Sequence, residues 1–191
     1  MQVMSRKLPI DAVLFDLAST LHGKRIGGQL AELFPDVEIA LDGLRRMGLK
    51  LGMVTDKAMD AVEPVLQRFG LSMWFDIVVD GGAVAQRKPH PAALLHACEA
   101  LAVQPAHALY VGDSENDALA AQAAGMQLVR VNYVGGSARS GGGDQAESPC
   151  LQVIDSLGEL LELIGSPQQP KRTRRVVQAG YRHDDWAGLY I

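Results

Sequence analysis

Short apolar runs alternate along the chain with segments whose apolar residues recur at the spacing of a helix. The apolar runs predict strands at residues 11–17, 49–55, 75–79, 108–111 and 127–131, with a last edge strand at 151–154. The amphipathic segments predict helices at residues 29–34, 35–47, 57–69, 91–102, 115–124 and 157–164. Strands separated by such helices form parallel sheets covered on both faces. We therefore predict an α/β fold, a doubly wound parallel sheet in a Rossmann-like three-layer sandwich.

A change of composition at residues 166–170 divides the chain. Serine, proline and glutamine interrupt the helical pattern there, so residues 1–165 are predicted to form one core domain. Residues 166–191 form a separate tail that is first basic and then aromatic, with five basic and two acidic residues. We expect this tail to be extended or disordered unless it docks on a surface.

The overall composition is that of an ordinary globular protein, with 48% hydrophobic and 21% charged residues. No apolar run is long enough to span a membrane, and the first residues lack the apolar segment of a secretory signal. Cys98 and Cys150 show neither metal-binding nor redox spacing. These features predict a cytoplasmic protein without a membrane partner. The formal net charge of −4 argues against nonspecific binding of nucleic acid.

Polar side chains stand where four of the predicted strands end. Asp16 and Thr55 close the first two, Lys88 lies in the loop after the third, and Asp113 follows the fourth with Asp117 shortly after it. Because these ends share one edge of a parallel sheet, we expect the side chains to converge. Carboxylates bind Mg²⁺ and attack phosphorus, and an ammonium offsets the charge of phosphate oxygens. The pattern indicates phosphoryl chemistry.

Four short motifs carry a resemblance to a known family. They are FDLASTL at 15–21, VTDK at 54–57, KPHP at 88–91 and VGDSEND at 111–117. With them, residues 12–133 resemble the haloacid dehalogenase (HAD) superfamily of aspartyl-phosphate hydrolases, and within it the phosphoglycolate phosphatase-like branch. A receiver domain of a response regulator also has a doubly wound sheet and a phosphorylated aspartate. Its acidic pair closes the first strand and its phospho-acceptor follows a later strand, so the order of residues here disfavours that alternative.

The resemblance implies roles for three catalytic residues. Asp16 is expected to be the nucleophile that forms an aspartyl-phosphate. Thr55 is expected to hydrogen-bond the phosphoryl group, and Lys88 to neutralise charge between the nucleophile and the phosphate.

The resemblance also implies Mg²⁺ as the cofactor. Its expected ligands are the carboxylates of Asp16 and Asp113 and the main-chain carbonyl of Ala18, which needs no particular side chain. Asp117 is expected to be a further ligand or to lie just outside the ligand set.

The chain departs from the family pattern at Ala18. Phosphatases of the family use D-x-D-G-T, in which the second aspartate protonates the leaving group and then activates water. General acid–base catalysis typically contributes about 10²- to 10⁴-fold, so turnover is expected to be slow unless Asp56, His22 or His90 substitutes. A pseudoenzyme that binds phosphorylated ligands or a partner is the alternative. An alanine at this position also resembles phosphonoacetaldehyde hydrolases, although the third and fourth motifs resemble the phosphatases.

The spacing between Asp16 and Thr55 is a second departure. Only 39 positions separate them, and at least one helix lies between, so the helical cap of the branch has no space and the core is predicted to be capless. Capless members act on phosphorylated macromolecules or borrow a lid from a neighbouring subunit. The expected partners are therefore a small phosphorylated substrate or a phosphorylated macromolecule, with a homo-oligomer as one way to cover the site. Residues 135–149 or the tail are other candidate lids.

Overall fold

The computed structural model describes residues 10–23, 32–133 and 150–165. Within these residues the strands are β1 (Ala12–Phe15), β2 (Lys50–Val54), β3 (Ile77–Val79), β4 (Ala108–Gly112), β5 (Gln127–Val131) and β6 (Cys150–Ile154). The α-helices are α1 (Val37–Arg46), α2 (Met59–Phe69), α3 (Ala92–Leu101), α4 (Glu115–Ala124) and α5 (Glu159–Ile164). Single 3₁₀ turns at Leu71–Met73 and Pro105–His107 lead into β3 and β4.

The strands form one six-stranded sheet in the order β3-β2-β1-β4-β5-β6. Every neighbouring pair is parallel, which confirms the predicted α/β fold with a doubly wound sheet. From β1 in the middle of the sheet, the chain adds β2 and then β3 toward one edge. It then returns to the other side of β1, where β4, β5 and β6 follow toward the opposite edge. The reversal lies between β1 and β4, and doubly wound sheets bind their ligands at such a reversal, beyond the carboxyl ends of the strands.

The two faces of the sheet are covered by different kinds of side chain. Helices α1, α2 and α5 pack on one face with leucine, valine and methionine. On the other face α3 and α4 contribute mainly small residues, namely Ala93, Ala97, Ala118, Ala120, Ala121 and Ala124. Small helix residues let a large side chain from the sheet lie between the layers, and the largest on this face is Tyr110 of β4.

The register of β1 against β4 sets the level of the candidate site. Phe15 pairs with Val111, and the next amide, that of Asp16, donates to the Val111 carbonyl at 2.9 Å. The last residue of β4 is Gly112, so Asp113 leaves the sheet at the same edge as Asp16. Central, fully buried strands therefore deliver both carboxylates to the place where the winding reverses.

One predicted helix is wrong in the part that the structure describes. At the end of the predicted helix 29–34, Leu33 bridges antiparallel to His22, and the Phe34 amide donates to the Leu21 carbonyl at 3.1 Å. We call residues 18–23 with 32–34 the flap. Pairing between the two segments of the flap gives partners to backbone amides that would lack them at the end of a short helix. This pairing therefore outweighs the helical pattern of the sequence.

Other expectations lie outside the described residues. Residues 29–31 of that helix, the candidate lid at 135–149 and the tail at 166–191 are among them, and the division of the chain at residue 165 stays a prediction. Among the helices of the described residues, none is both long and apolar enough to cross a bilayer.

Candidate active site

Four charged side chains meet at the carboxyl edge of the sheet. Asp16 follows β1, Lys88 lies between β3 and α3, Asp113 follows β4, and Asp117 is in the first turn of α4. Asp16 and Lys88 are each 7% exposed and Asp117 is 1% exposed, while Asp113 is half-buried. Four of the residues singled out from the sequence thus form one cluster.

Lys88 is the centre of this cluster. Its Nζ donates to Oδ1 of Asp16 at 2.7 Å, to Oδ1 of Asp117 at 2.7 Å and to the hydroxyl of Tyr110 at 3.0 Å. An ammonium has three hydrogens, and these contacts use all of them. The Lys88 side chain is only 3% exposed, so these partners take the place of water.

Tyr110 is a member of the cluster that the sequence analysis did not identify. Its hydroxyl accepts from Lys88 and donates to Oδ1 of Asp117 at 2.9 Å. The signal for it was present, because a tyrosine interrupts an apolar strand three residues before Asp113. A buried phenol hydroxyl usually has a hydrogen-bond partner, so such a tyrosine points to polar groups nearby.

The start of α4 holds Asp117 in place. The hydroxyl of Ser114 accepts from the Asp117 amide at 3.2 Å, and the Ser114 amide and hydroxyl donate to Oδ2 of Asp117 at 3.0 and 2.5 Å. This is a capping box in which aspartate takes the place of the usual glutamate. A Cβ at Gly112 would lie 2.6 Å from Cγ of Asp117, so the close approach requires glycine there.

The surroundings shift the pKa values of the two carboxylates that contact Lys88 in opposite directions. Burial raises the pKa of Asp16 to about 7, because the attraction of Lys88 does not offset the desolvation and Asp117 adds repulsion. Burial also opposes the charged form of Asp117, but Lys88 and the hydrogen bonds from Ser114 outweigh it and lower the pKa. Burial alone would lower the pKa of Lys88, but Asp16 and Asp117 raise it. Asp117 and Lys88 are therefore ionised.

The oxygen donors of the cluster suit a hard divalent cation. One carboxylate oxygen each from Asp16, Asp113 and Asp117 lies within 4.8 Å of the other two. Three carboxylates and one ammonium leave a formal charge of −2, which Mg²⁺ would balance, and oxygen is its preferred donor. Among the described residues, both oxygens of Asp117 accept two hydrogen bonds each, whereas Asp16 accepts one such bond, from Lys88. Asp16 is thus a better direct ligand than Asp117.

Thr55 and Asp56 connect the ends of β2 and β3. Thr55 is 3% exposed, and its Oγ1 accepts from the Lys57 amide at 3.3 Å. Oδ1 of Asp56 accepts from the Lys88 amide at 3.1 Å, which fixes the loop that carries the ammonium. Among the described residues, the hydrogen bonds of Thr55 do not reach Asp16, so its role toward a phosphoryl group stays a prediction.

The flap begins with Ala18 and Ser19, two and three residues after Asp16. Ala18 is half-buried and bridges to His22, and the Ser19 amide donates to the His22 carbonyl at 2.8 Å. Ser19 has a φ of 66°, in the left-handed region, and it stands where the family motif has glycine. A side chain at this φ is unfavourable by about 1–2 kcal/mol, so the turn is strained at Ser19.

Ser19→Gly is therefore expected to stabilise the protein. Glycine adopts the left-handed region freely, but it loses about 0.5–1 kcal/mol of additional backbone entropy on folding, so the net gain is up to about 1 kcal/mol. In a protein of this size that gain raises the melting temperature by about 2–4 °C in a thermal unfolding experiment. Ser19→Ala keeps a Cβ and serves as the control. An equal gain in both variants would contradict strain at this turn.

The three candidate substitutes for the missing acid–base residue differ in their surroundings. Nδ1 of His22 lies 2.8 Å from the Gly23 carbonyl, so Nδ1 is the donor and Nε2 is left for proton exchange. His90 is exposed, and its Nδ1 accepts from the Ala92 amide at 3.2 Å at the start of α3. Among the described residues, none of these histidines nor Asp56 hydrogen-bonds to Asp16.

The chain is similar to proteins of a known hydrolase family. A family model described as haloacid dehalogenase-like hydrolase matches residues 11–131. A phosphoglycolate phosphatase of Cupriavidus necator is 39% identical over 151 residues, which are 79% of this chain and 62% of that protein. A phosphoglycolate phosphatase of Nitrosospira multiformis is 42% identical over 131 residues, 69% of this chain and 56% of that one.

Solved structures show the same similarity. The crystal structure of a HAD phosphatase from Thermococcus onnurineus aligns with a TM-score of 0.62 and 32% identity. The alignment covers 71% of this chain and 60% of that one. The chain thus spans between about half and two thirds of the length of the curated relatives it matches.

Proposed function

Since the chain belongs to the haloacid dehalogenase-like hydrolase family, we propose that it is a Mg²⁺-dependent phosphohydrolase that cleaves a phosphate monoester through an aspartyl-phosphate on Asp16. The observation that carries the proposal is the buried contact of 2.7 Å between Asp16 and Lys88, beside Asp113 and Asp117. A carboxylate held against an ammonium at the open edge of a parallel sheet has the chemistry of a nucleophile for phosphorus.

In the first half of the proposed reaction, three side chains act on the phosphoryl group. An oxygen of Asp16 attacks phosphorus, the bond from phosphorus to the leaving oxygen breaks, and an acyl phosphate remains on Asp16. Lys88, 2.7 Å from Oδ1 of Asp16, offsets the negative charge that builds up on the phosphoryl oxygens. Thr55, at the end of the neighbouring strand, donates its hydroxyl hydrogen to one of them.

Asp16, Asp113 and the carbonyl of Ala18 would hold Mg²⁺, with Asp117 as a further ligand or just outside the ligand set. The cation supplies charge neutralisation for the phosphoryl oxygens and favours the ionised form of Asp16. Asp16 needs that help, because burial raises its pKa to about 7. Asp117 keeps Lys88 in place through Oδ1, so removing its charge would affect the ammonium as well.

Both halves of the reaction lack a dedicated proton carrier at position 18. Hydrolysis of the acyl phosphate requires water to attack phosphorus and lose a proton, and the leaving oxygen in the first half must gain one. Ala18 supplies neither function, so acid–base catalysis is weakened. The same residue favours a second candidate function, a catalytically impaired HAD protein that binds phosphorylated ligands or a partner without useful turnover.

We propose a class of substrate, the small phosphate monoesters. The relatives named above are phosphoglycolate phosphatases, which favours a small phosphate monoester. The segment between Asp16 and β2 contains the flap and α1, so we propose a capless site that is open to solvent. Such a site also admits a phosphorylated macromolecule, or it is covered by a second copy of the chain. We propose a cytoplasmic enzyme with a reduced pair of cysteines, Cys98 and Cys150.

The test is to trap the covalent intermediate. The protein is incubated with an aryl phosphate and Mg²⁺, quenched in acid and digested, and the peptides are weighed by mass spectrometry. An aryl phosphate has a good leaving group and partly forgives a missing acid. One phosphoryl group is expected on the peptide that contains Asp16, with phosphate release that EDTA abolishes.

Asp16→Asn is expected to lose both the label and the Mg²⁺-dependent release of phosphate. Asp60→Asn, on the exposed side of α2, is the matched control and should keep both. Equal release by the wild type and Asp16→Asn would show that the site is assigned wrongly. Label without any turnover would favour the impaired protein over the enzyme.

A further inference from the structure

Tyr110 completes the coordination of the Lys88 ammonium. It is fully buried in β4, and its hydroxyl oxygen lies 3.0 Å from Nζ of Lys88 and 2.9 Å from Oδ1 of Asp117. A phenol hydroxyl has one hydrogen to donate and lone pairs to accept. Since a carboxylate only accepts, the Tyr110 hydroxyl donates its hydrogen to Asp117 and accepts a hydrogen bond from Lys88. Lysine, tyrosine and aspartate thus form a closed ring of three hydrogen bonds.

The Lys88 ammonium needs the Tyr110 hydroxyl because it has three N–H groups and donates to two carboxylates. The Lys88 side chain is 3% exposed and carries three N–H groups, of which the carboxylates of Asp16 and Asp117 take two. Without Tyr110 the third N–H would be buried without a partner, and the ammonium could rotate about its last bond. An unpaired buried donor is expensive, so the hydroxyl both satisfies and orients the group.

The rest of the fold keeps the hydroxyl from moving. Tyr110 lies in the central strand β4, which pairs with β1 and β5, and its ring lies in the face lined by alanines of α3 and α4. The hydroxyl is also 3.5 Å from the Val54 carbonyl at the end of β2. A side chain with two rotatable bonds, held by strands and helices, is a rigid support for a flexible lysine.

We propose that Tyr110 is a positioning residue, which with Asp117 holds two of the Lys88 N–H groups so that the third is aimed at Asp16 and the phosphoryl group. The proposal rests on the proposed function, in which Lys88 acts between nucleophile and phosphate. The two N–H groups on Tyr110 and Asp117 stay where they are during phosphoryl transfer. Only the third changes its partner, so the ammonium keeps its orientation during the reaction.

Tyr110→Phe removes one oxygen atom and tests the proposal. In the hydrolysis of an aryl phosphate with Mg²⁺, kcat is expected to fall about tenfold with KM changed less than about twofold, because a single hydrogen bond to a charged group is lost. Tyr133→Phe is the matched control. Its hydroxyl donates to the Thr20 carbonyl at 3.3 Å, so this variant removes a tyrosine hydroxyl that contacts neither Lys88 nor Asp117. Asp60→Asn, on the exposed side of α2, is the control for activity and should leave kcat unchanged.

A second measurement does not depend on activity. In protein labelled with ¹⁵N at the lysine side chains, an ammonium with three buried partners exchanges its hydrogens slowly with water and gives its own NMR signal. Lys88→Met assigns that signal to Lys88 in the wild type. Tyr110→Phe is expected to accelerate the exchange at least tenfold, whereas Tyr133→Phe should not change it. The wild-type signal alone is informative if Tyr110→Phe fails to fold.

The two readouts separate the possible failures. If the wild-type Lys88 signal exchanges as fast as those of surface lysines, or if Tyr110→Phe leaves both exchange and kcat unchanged, the proposal is overturned. A rise in KM with kcat unchanged overturns it as well, since Tyr110 would then shape binding alone. If no phosphatase activity is found in any variant, the proposed function fails, and accelerated exchange in Tyr110→Phe would still support the positioning of Lys88.

Discussion

Lys88→Met is expected to lower turnover about 10²- to 10³-fold and the free energy of unfolding by about 3–5 kcal/mol in the absence of metal. Lys88 is the ammonium in contact with both Asp16 and Asp117, and both carboxylates are buried. Methionine has nearly the same length and no charge, so the variant leaves two buried carboxylates without their counter-ion. Turnover is measured on an aryl phosphate with Mg²⁺, and unfolding in urea with EDTA.

The double variant Lys88→Met/Asp16→Asn shows whether the loss of stability is electrostatic. It removes one of the two stranded charges, so it should be more stable than Lys88→Met alone. Mg²⁺ should likewise restore part of the stability of Lys88→Met, because it binds the same carboxylates. Lys57→Met, at an exposed lysine of the neighbouring strand end, is the matched control and should unfold like the wild type. A loss in Lys88→Met no larger than in this control would contradict the central role of the ion pair.

The fold could be predicted because its local and global signals agree. Strands such as β1 and β4 are buried on both faces, so they appear in the sequence as continuous apolar runs that end abruptly in a polar residue. Helix boundaries followed from residues such as Gly70 and Gly125, which adopt the left-handed conformation after α2 and α4. The parallel sheet then required the strand ends to share one edge. For this reason the sequence alone predicts that Asp16, Lys88 and Asp113 converge.

What escaped prediction depends on contacts between residues distant in sequence. The flap pairs His22 with Leu33, and nothing in the local pattern of residues 29–34 distinguishes that pairing from a short helix. The sequence places Tyr110 only in a core strand, because its partner Lys88 comes from a loop 22 positions away. The strain at Ser19 is a property of φ, which sequence composition does not report.

The site is more complete for one half of the proposed reaction than for the other. The residues around the nucleophile are held by several independent contacts, from the capping box of Asp117 to the bond between Asp56 and the Lys88 amide. Ala18, by contrast, stands where the family motif has its proton carrier, and its methyl group can neither give nor take a proton. With an aryl phosphate, whose leaving group needs no proton, the acyl phosphate is expected to form faster than it is hydrolysed, so the phosphorylated protein should accumulate in the steady state.

Ala18→Asp is expected to raise turnover about 10²- to 10⁴-fold on an alkyl phosphate, whose poor leaving group needs a proton. Ala18 is half-buried in the flap, two residues after Asp16, so a carboxyl group there has access to solvent and lies close to the nucleophile. On an aryl phosphate the first step needs no acid, so the gain should be smaller and come from faster hydrolysis of the acyl phosphate. The phosphorylated fraction of Asp16 at steady state should fall accordingly.

Ala18→Asn is the matched control, since it has the size of aspartate but cannot carry the proton. It should remain as slow as the wild type on both substrates. If Ala18→Asp gives no gain while Asp16 is still phosphorylated, another group, such as His22, already serves as the acid and base. If the wild type shows only activity independent of Asp16 and Ala18→Asp restores turnover, the natural chain is an impaired member of its family. The ratio of alkyl to aryl phosphate turnover therefore decides between an enzyme with a substitute proton carrier and a protein that binds phosphate without completing the reaction.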